Sequence, residues 1–215
     1  MALYDVKPRF RALLQGLVPL LKSIHPDWIT LMALGCSLVA AALFQITPAH
    51  RWAFLAIPLL LFVRIALNAL DGMVAQATGK ARPFGEVLNE ATDRLSDTTI
   101  LLGIAVSPLS SLAWGTAATV AALFSSYLGI LGKAVGAGRQ YGGVLGKADR
   151  MLYLGLTCVA AFFLGNPILY SGAEGPAGLS IRLFDFLLGA FAVLGVITAA
   201  QRVQTIHRTL RGVRA

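Results

Sequence analysis

NALDGMVAQ (residues 68–76) and GEVLNEATDRLSD (residues 85–97) interrupt two strongly apolar runs with Asp71, Glu86, Glu90, Asp93 and Asp97. Half of the chain's 10 acidic residues sit there. A carboxylate near the centre of a membrane helix costs roughly 2.5–3.5 kcal/mol on insertion scales, so a cluster of them marks a functional site by default. What the cluster holds follows from the helices that carry it.

The chain has 215 residues, of which 57% are hydrophobic and 13% charged, with a mean hydropathy of +0.73. That is too apolar for a soluble domain of this length and reads as a multi-pass membrane protein. The net charge of +8 has a simple cause in such a protein, the retention of Lys and Arg in cytoplasmic loops, so nucleic acid is not the expected partner. Cys36 and Cys158 fall inside apolar runs at no metal or disulfide spacing. No signal-peptide pattern is visible in MALYDVKPRFRALLQ, and the first residues are expected to be retained.

Six stretches, about 28–46, 52–75, 86–106, 110–132, 149–168 and 182–203, are near the ~20 residues that cross a bilayer. The expected class is therefore all-α, with six transmembrane helices. Residues 7–24 (KPRFRALLQGLVPLLKSI) mix basic and apolar positions at helical spacing and suit an interfacial amphipathic helix, with a loose basic arm as the alternative. This divides the chain into an interfacial arm, 1–27, and a six-helix domain with a basic tail, 28–215. Lys7, Arg9, Arg11 and Lys22, then Lys80 and Arg82, then Lys133, Arg139, Lys147 and Arg150, and finally Arg202, Arg208, Arg211 and Arg214 fall on one side. Only Arg51 and Arg182 fall on the other, so both termini and the acidic cluster are expected to face the cytoplasm.

On the second span Arg64, Asn68, Asp71 and Ala75 share one stripe, and on the third Gly85, Asn89, Asp93 and Asp97 do. The short connection makes the two spans antiparallel neighbours. Equal depths from the loop then set Asn68 and Asp71 opposite Asn89 and Asp93, with Arg64 deeper, opposite Asp97. Facing oxygen-bearing side chains suit a hard divalent cation such as Mg²⁺ shared with substrate phosphates, and Gly72 and Gly85 leave room for a ligand. The alternative is a structural clasp, preferred for Arg64 with Asp97 and for Glu90 with Arg94 at i,i+4. For Asp71 and Asp93 no basic partner is available by spacing, which favours the metal.

These residues resemble the signature of the CDP-alcohol phosphotransferases, D-x2-D-G-x2-A-R-x8-G-x3-D-x3-D. The chain reads Asn68-x2-Asp71-Gly72-x2-Ala75-Gln76-x8-Gly85-x3-Asn89-x3-Asp93, with HPDWITLMALG opening the first span. It is similar to a bacterial inner-membrane branch with NALDG and LNE at these places. The resemblance implies an enzyme of phospholipid synthesis in which an alcohol attacks the β-phosphate of a CDP-alcohol, here CDP-diacylglycerol, and CMP leaves. It implies Mg²⁺ or Mn²⁺, one or two ions, held by Asp71 and Asp93 with Asn68 and Asn89. Asp93 would be the general base, and Gly72, Ala75, Gln76 and Gly85 would line the nucleotide. Asn68, Gln76 and Asn89 depart from the signature, and Glu90 and Asp97 are candidates to restore charge. A homodimer in the bacterial inner membrane is also implied.

The stretch GKAVGAGRQYGGVLGKADRMLYLG (132–155) reads as a flexible basic loop, with Arg139, Lys147 and Arg150 as candidate contacts for an anionic substrate. Two further readings stay open: a catalytically impaired relative that binds nucleotide or other membrane proteins, and, more weakly, a transporter. The latter finds no repeated halves.

Overall fold

The computed structural model describes residues 7–171 and 180–212; Arg214 and the first six residues of the arm lie outside them. The chain begins with α1 (Lys7–Leu14), a 3-10 turn (Gln15–Leu17) and α2 (Val18–Leu21). Six long helices follow: α3 (Pro26–Ile46), α4 (Ala53–Ala77), α5 (Pro83–Ala105), α6 (Leu112–Ala134), α7 (Lys147–Leu164) and α8 (Leu183–Gly212). They coincide with the six expected stretches to within a few residues, apart from the longer C-terminal end of α8.

One expectation is corrected and two gain detail. The single helix over 7–24 is broken, because Pro19 at the start of α2 has no N–H for the carbonyl four residues back and its ring crowds that carbonyl. The segment is docked rather than loose: Leu14 and Val18 are buried with Ile29, Leu70 and Val74, and Phe10 meets Phe62 edge to face with centroids 6.0 Å apart. Second, the all-α class holds, with one small addition. An antiparallel hairpin of β1 (Ile168–Ser171) and β2 (Ser180–Arg182) precedes α8. Third, α3, α4, α6 and α8 are long and apolar enough to cross a membrane, whereas α5 and α7 do not meet that measure. Their charges crowd into one end, Glu86 to Asp97 in α5 and Lys147 to Arg150 in α7, leaving the remainder apolar.

α3 packs on α4 and α5, α5 also on α6, α6 along α8, and α4 on α7. The shared core holds Phe44, Ile57, Leu101, Leu154 and Phe184. Outward, Leu59, Phe124 and Val193 are more than half exposed, as expected of a surface that meets lipid. Small residues let the helices approach closely. A Cβ on Gly115 would lie 2.1 Å from Cβ of Ala105, where α6 leaves the turn after α5.

One polar knot crosses this core. Asp97 of α5 accepts from Arg64 of α4 through Oδ1 at 2.6 Å and from Arg150 of α7 through Oδ2 at 2.7 Å. All three are buried, Arg64 completely. Arg64 also reaches Sδ of Met151 at 3.1 Å and the carbonyl of Asp93 at 3.4 Å. The clasp expected between Arg64 and Asp97 is present, with a third member from α7. Both Asp97 oxygens are engaged, so Asp97 does not supply charge to the Asp71 and Asp93 site as expected.

Arg64→Ala and Asp97→Ala are each expected to cost about 3–5 kcal/mol by leaving buried charge uncompensated. In denaturation of detergent-solubilised protein, the double variant should cost at least about 1 kcal/mol less than the sum of the singles; additivity would remove the coupling. Gly115→Leu is expected to cost about 1–3 kcal/mol through overpacking, read in the same assay.

Candidate functional site

α4 and α5 are joined by residues 78–82 and run antiparallel, and two contacts fix their register. Arg64 meets Asp97, and one turn nearer the loop Nδ2 of Asn68 donates to Oδ1 of Asp93 at 2.5 Å. A further turn brings Asp71 and Gly72 level with Asn89. The depths expected from the sequence hold for both contacts.

Asp71 is 3% exposed. Its Oδ2 accepts from the Thr30 hydroxyl of α3 at 2.7 Å and its Oδ1 from the Gly72 amide at 2.5 Å. Among the described residues it has no ion pair. Asp93 differs: Lys147 Nζ, from the first residue of α7, pairs with its Oδ1, and Arg94 Nη2 stands 3.8 Å from its Oδ2. The expectation that Asp93 lacks a basic partner is thus corrected. Spacing along α4 and α5 could not show it, because the partner lies 54 residues away. Thr30 is the other site residue the sequence did not single out; its signal was a hydroxyl one turn into HPDWITLMALG.

Above Asp93 the acids are also paired. Glu90 accepts from Arg94 at 2.6 Å and pairs with Arg139, and Glu86 pairs with Lys133 at 2.6 Å. Glu90 therefore bears its expected clasp with Arg94 and has neither oxygen free to make up for Asn89. The guanidinium of Arg139 lies over Tyr141, 5.1 Å from the ring centroid. Arg150 has Nη2 on Asp97 and is 2% exposed. It is part of the floor rather than a residue held out for an incoming anion.

The segment between α6 and α7, expected as a flexible loop, is tied to α8 by hydrogen bonds. Arg202 of α8 donates to the carbonyls of Ser125, Tyr141 and Gly142 at 2.5, 3.4 and 2.9 Å. Thr198 Oγ1 accepts from the Leu145 amide at 3.0 Å, and Gln201 Oε1 from the Val144 amide at 3.0 Å. Gly143 is required here, with φ +132° and Thr198 Cγ2 only 2.3 Å from where a Cβ would stand.

These elements enclose a cleft of about 810 Å³. Asn68, Asp71, Gly72, Asn89, Glu90, Asp93, Arg139, Lys147 and Arg150 line it; Ala75, Gln76 and Gly85 are not among its lining residues. Six basic side chains face five acidic ones, and Pro58, Phe62, Leu156 and Val159 make an apolar end. A Cβ on Gly72 would meet nothing within 4 Å, so its face is open.

Two carboxylates and two amide oxygens suit a hard cation that shares its sphere with a ligand's phosphate oxygens. Asn89 Oδ1 is buried without a donor, an orphan acceptor that a cation would satisfy. Among the described residues no three His, Cys, Asp or Glu side chains converge to hold a metal alone. The fit is therefore to an ion bound jointly with substrate.

The inner membrane protein YnbA of Escherichia coli is 35% identical over 158 residues, 73% of this chain and 78% of that protein. The archaetidylinositol phosphate synthase of Pyrococcus horikoshii is 33% identical over 128 residues, 59% of this chain and 63% of that one. The crystal structure of Mycobacterium tuberculosis phosphatidylinositol phosphate synthase with CDP-DAG bound shares the fold, with a TM-score of 0.67 at 22% identity over 92% of each chain. The same enzyme has been solved with manganese and citrate; that structure also gives a TM-score of 0.67 at 22% identity, over 92% of this chain and 88% of that one. The profile of the CDP-alcohol phosphatidyltransferases, transferases of phospholipid biosynthesis, matches residues 23–198. That match takes in α3 to α7, most of α8, and with them Thr30, Asp71, Asp93 and Lys147; the chain belongs to the CDP-alcohol phosphatidyltransferase family.

Proposed function

We propose that the chain transfers a substituted phosphate from a CDP-alcohol, CDP-diacylglycerol in the first instance, to a hydroxyl acceptor and releases CMP. The observation that carries this reading is one cleft with Asp71 and Asp93 on its floor, a basic rim and an apolar end. The rim suits a diphosphate, and Phe62, Leu156 and Val159 suit acyl chains entering from the bilayer. Archaetidylinositol phosphate synthase and phosphatidylinositol phosphate synthase among the relatives support the reaction class.

Asp71 and Asp93, with amide oxygens of Asn68 and Asn89, are the proposed holders of Mg²⁺ or Mn²⁺. Such an ion, when bound, neutralises charge on the diphosphate and leaving group. The remaining work falls to the chain. Asp93 Oδ1 is engaged by Asn68 and Lys147, which leaves Oδ2, with Arg94 Nη2 3.8 Å away and outside hydrogen-bond reach, to take the acceptor's proton. The acceptor oxygen then bonds to the β-phosphorus as the bond to the bridging oxygen breaks, and CMP carries away that electron pair. Thr30 holds Asp71 in one orientation, and Arg139 and Lys147 offer positive charge to the phosphates. Gly72 leaves space for the nucleotide, with Ala75, Gln76 and Gly85 proposed farther along it.

The proposed setting is a bacterial inner membrane, crossed six times by α3 to α8, with α1 and α2 at the interface and the site and both termini cytoplasmic. The gathering of Arg82, Lys133, Arg139, Lys147 and Arg202 at the acidic end supports that orientation. A homodimer is the proposed assembly.

Purified protein with Mg²⁺, CDP-diacylglycerol and a panel of polyols and phosphorylated polyols should release CMP, and Asp93→Asn should reduce the rate at least about a hundredfold while remaining folded. An Asp93→Asn rate equal to wild type would remove Asp93 as the base. No CMP from the wild type across a broad donor and acceptor panel would favour the impaired relative.

A further inference from the structure

The site falls into two electrically different halves. Asp93 Oδ1 is held by an amide donor, Asn68 Nδ2, and by the ammonium of Lys147. Among the described residues Asp71 is held only by the neutral donors Thr30 and Gly72, and the level of α5 opposite it carries Asn89, whose buried Oδ1 has no donor among them. A carboxylate at position 68 would face Asp93 across 2.5 Å and need a cation between them. An amide there donates a hydrogen bond instead, and Lys147 contributes the positive charge.

Four Asp residues and two divalent ions would cancel, whereas here two Asp residues and one ion already cancel and Lys147 adds a further positive charge, which disfavours a second ion. We propose, on the phosphotransferase reading above, that this site takes a single divalent ion on the Asp71 and Asn89 side. The Lys147 ammonium stands in for a second ion, bridging Asp93 and a phosphate oxygen. Like an ion it is a compact positive charge with several directions of contact, and unlike one it is fixed by the chain. Its position is secured from below: Arg150, one turn along α7, is tied to Asp97, and Asp97 to Arg64. Asn68 and Asn89, with Lys147 on Asp93, then form one electrostatic arrangement suited to a single ion.

The test counts ions. Full-length protein in nanodiscs, saturated with CDP, is titrated with Mn²⁺ and the free ion followed by electron paramagnetic resonance. Wild type should bind one Mn²⁺ per chain, and the triple variant Asn68→Asp, Asn89→Asp, Lys147→Met should bind two. Two ions on the wild type, or one on the folded triple variant, would overturn the proposal while leaving the phosphotransferase reading intact. CDP binding with no Mn²⁺ taken up at any concentration would overturn both. Lys147→Met alone should tighten the first ion about tenfold, because a like charge has been removed from beside its ligands. An unchanged Mn²⁺ affinity in that variant would mean that the ammonium does not share the site. The wild-type count decides between one and two even if no variant folds.

Discussion

Asp97 is the residue on which the rest of the site depends. It is buried among apolar helices, and its two oxygens are divided between Arg64 of α4 and Arg150 of α7. Removing one member of such a knot leaves charge stranded where water cannot reach, so the three helices are bound to one arrangement. That arrangement sets the register of α4 on α5. It thereby places Asn68 on Asp93 one turn up and Asp71 level with Asn89 in the turn above. It also fixes the beginning of α7, which brings Lys147 to Asp93.

A second consequence concerns charge. The knot itself carries two cations for one anion, and above it each acid of α5 has a basic partner drawn from a different part of the chain: Lys147 for Asp93, Arg139 for Glu90, Lys133 for Glu86. Asp71 alone among these buried or rim acids relies on neutral hydrogen bonds. Asp71, which has no ion pair among the described residues, thus lies beneath a basic rim, a combination suited to a divalent ion that arrives with a diphosphate. Arg202, pinned to three backbone carbonyls, keeps the rim's glycine-rich strap from collapsing into that space.

Much of this was legible in the sequence, and the limits have physical causes. The six long helices follow from apolar runs of bilayer length. Arg64 opposite Asp97 follows from counting along two helices joined by a tight loop, where register is nearly forced. The partners from α7 and α8 were not legible: Lys147 and Arg150 lie more than 50 residues from the acids they meet, and their basic spacing reads equally well as loop charge. Thr30 was hidden because a single hydroxyl in an apolar helix commonly bonds its own backbone, and Thr30 also does that, to Pro26 at 3.2 Å. The break at Pro19 was visible as a proline but not as a turn, since proline is tolerated at the start of a helix. The hairpin before α8 has only short strands and offers little periodicity to read.

On the proposed reading, the family signature and the observed cleft place the chemistry at the same two carboxylates and differ in how charge is supplied there. Asp71 and Asp93 keep the signature's places, while Asn68 and Asn89 put amides where it has carboxylates. The central claim is that an ion and a nucleotide meet between these two carboxylates. Anomalous scattering from crystals grown with Mn²⁺ and CDP tests it most directly. The account predicts a peak within coordination distance of Asp71, in the cleft it shares with Asp93 and against the CDP phosphates. Ordered CDP with its phosphates elsewhere, or a peak away from both carboxylates, would contradict it.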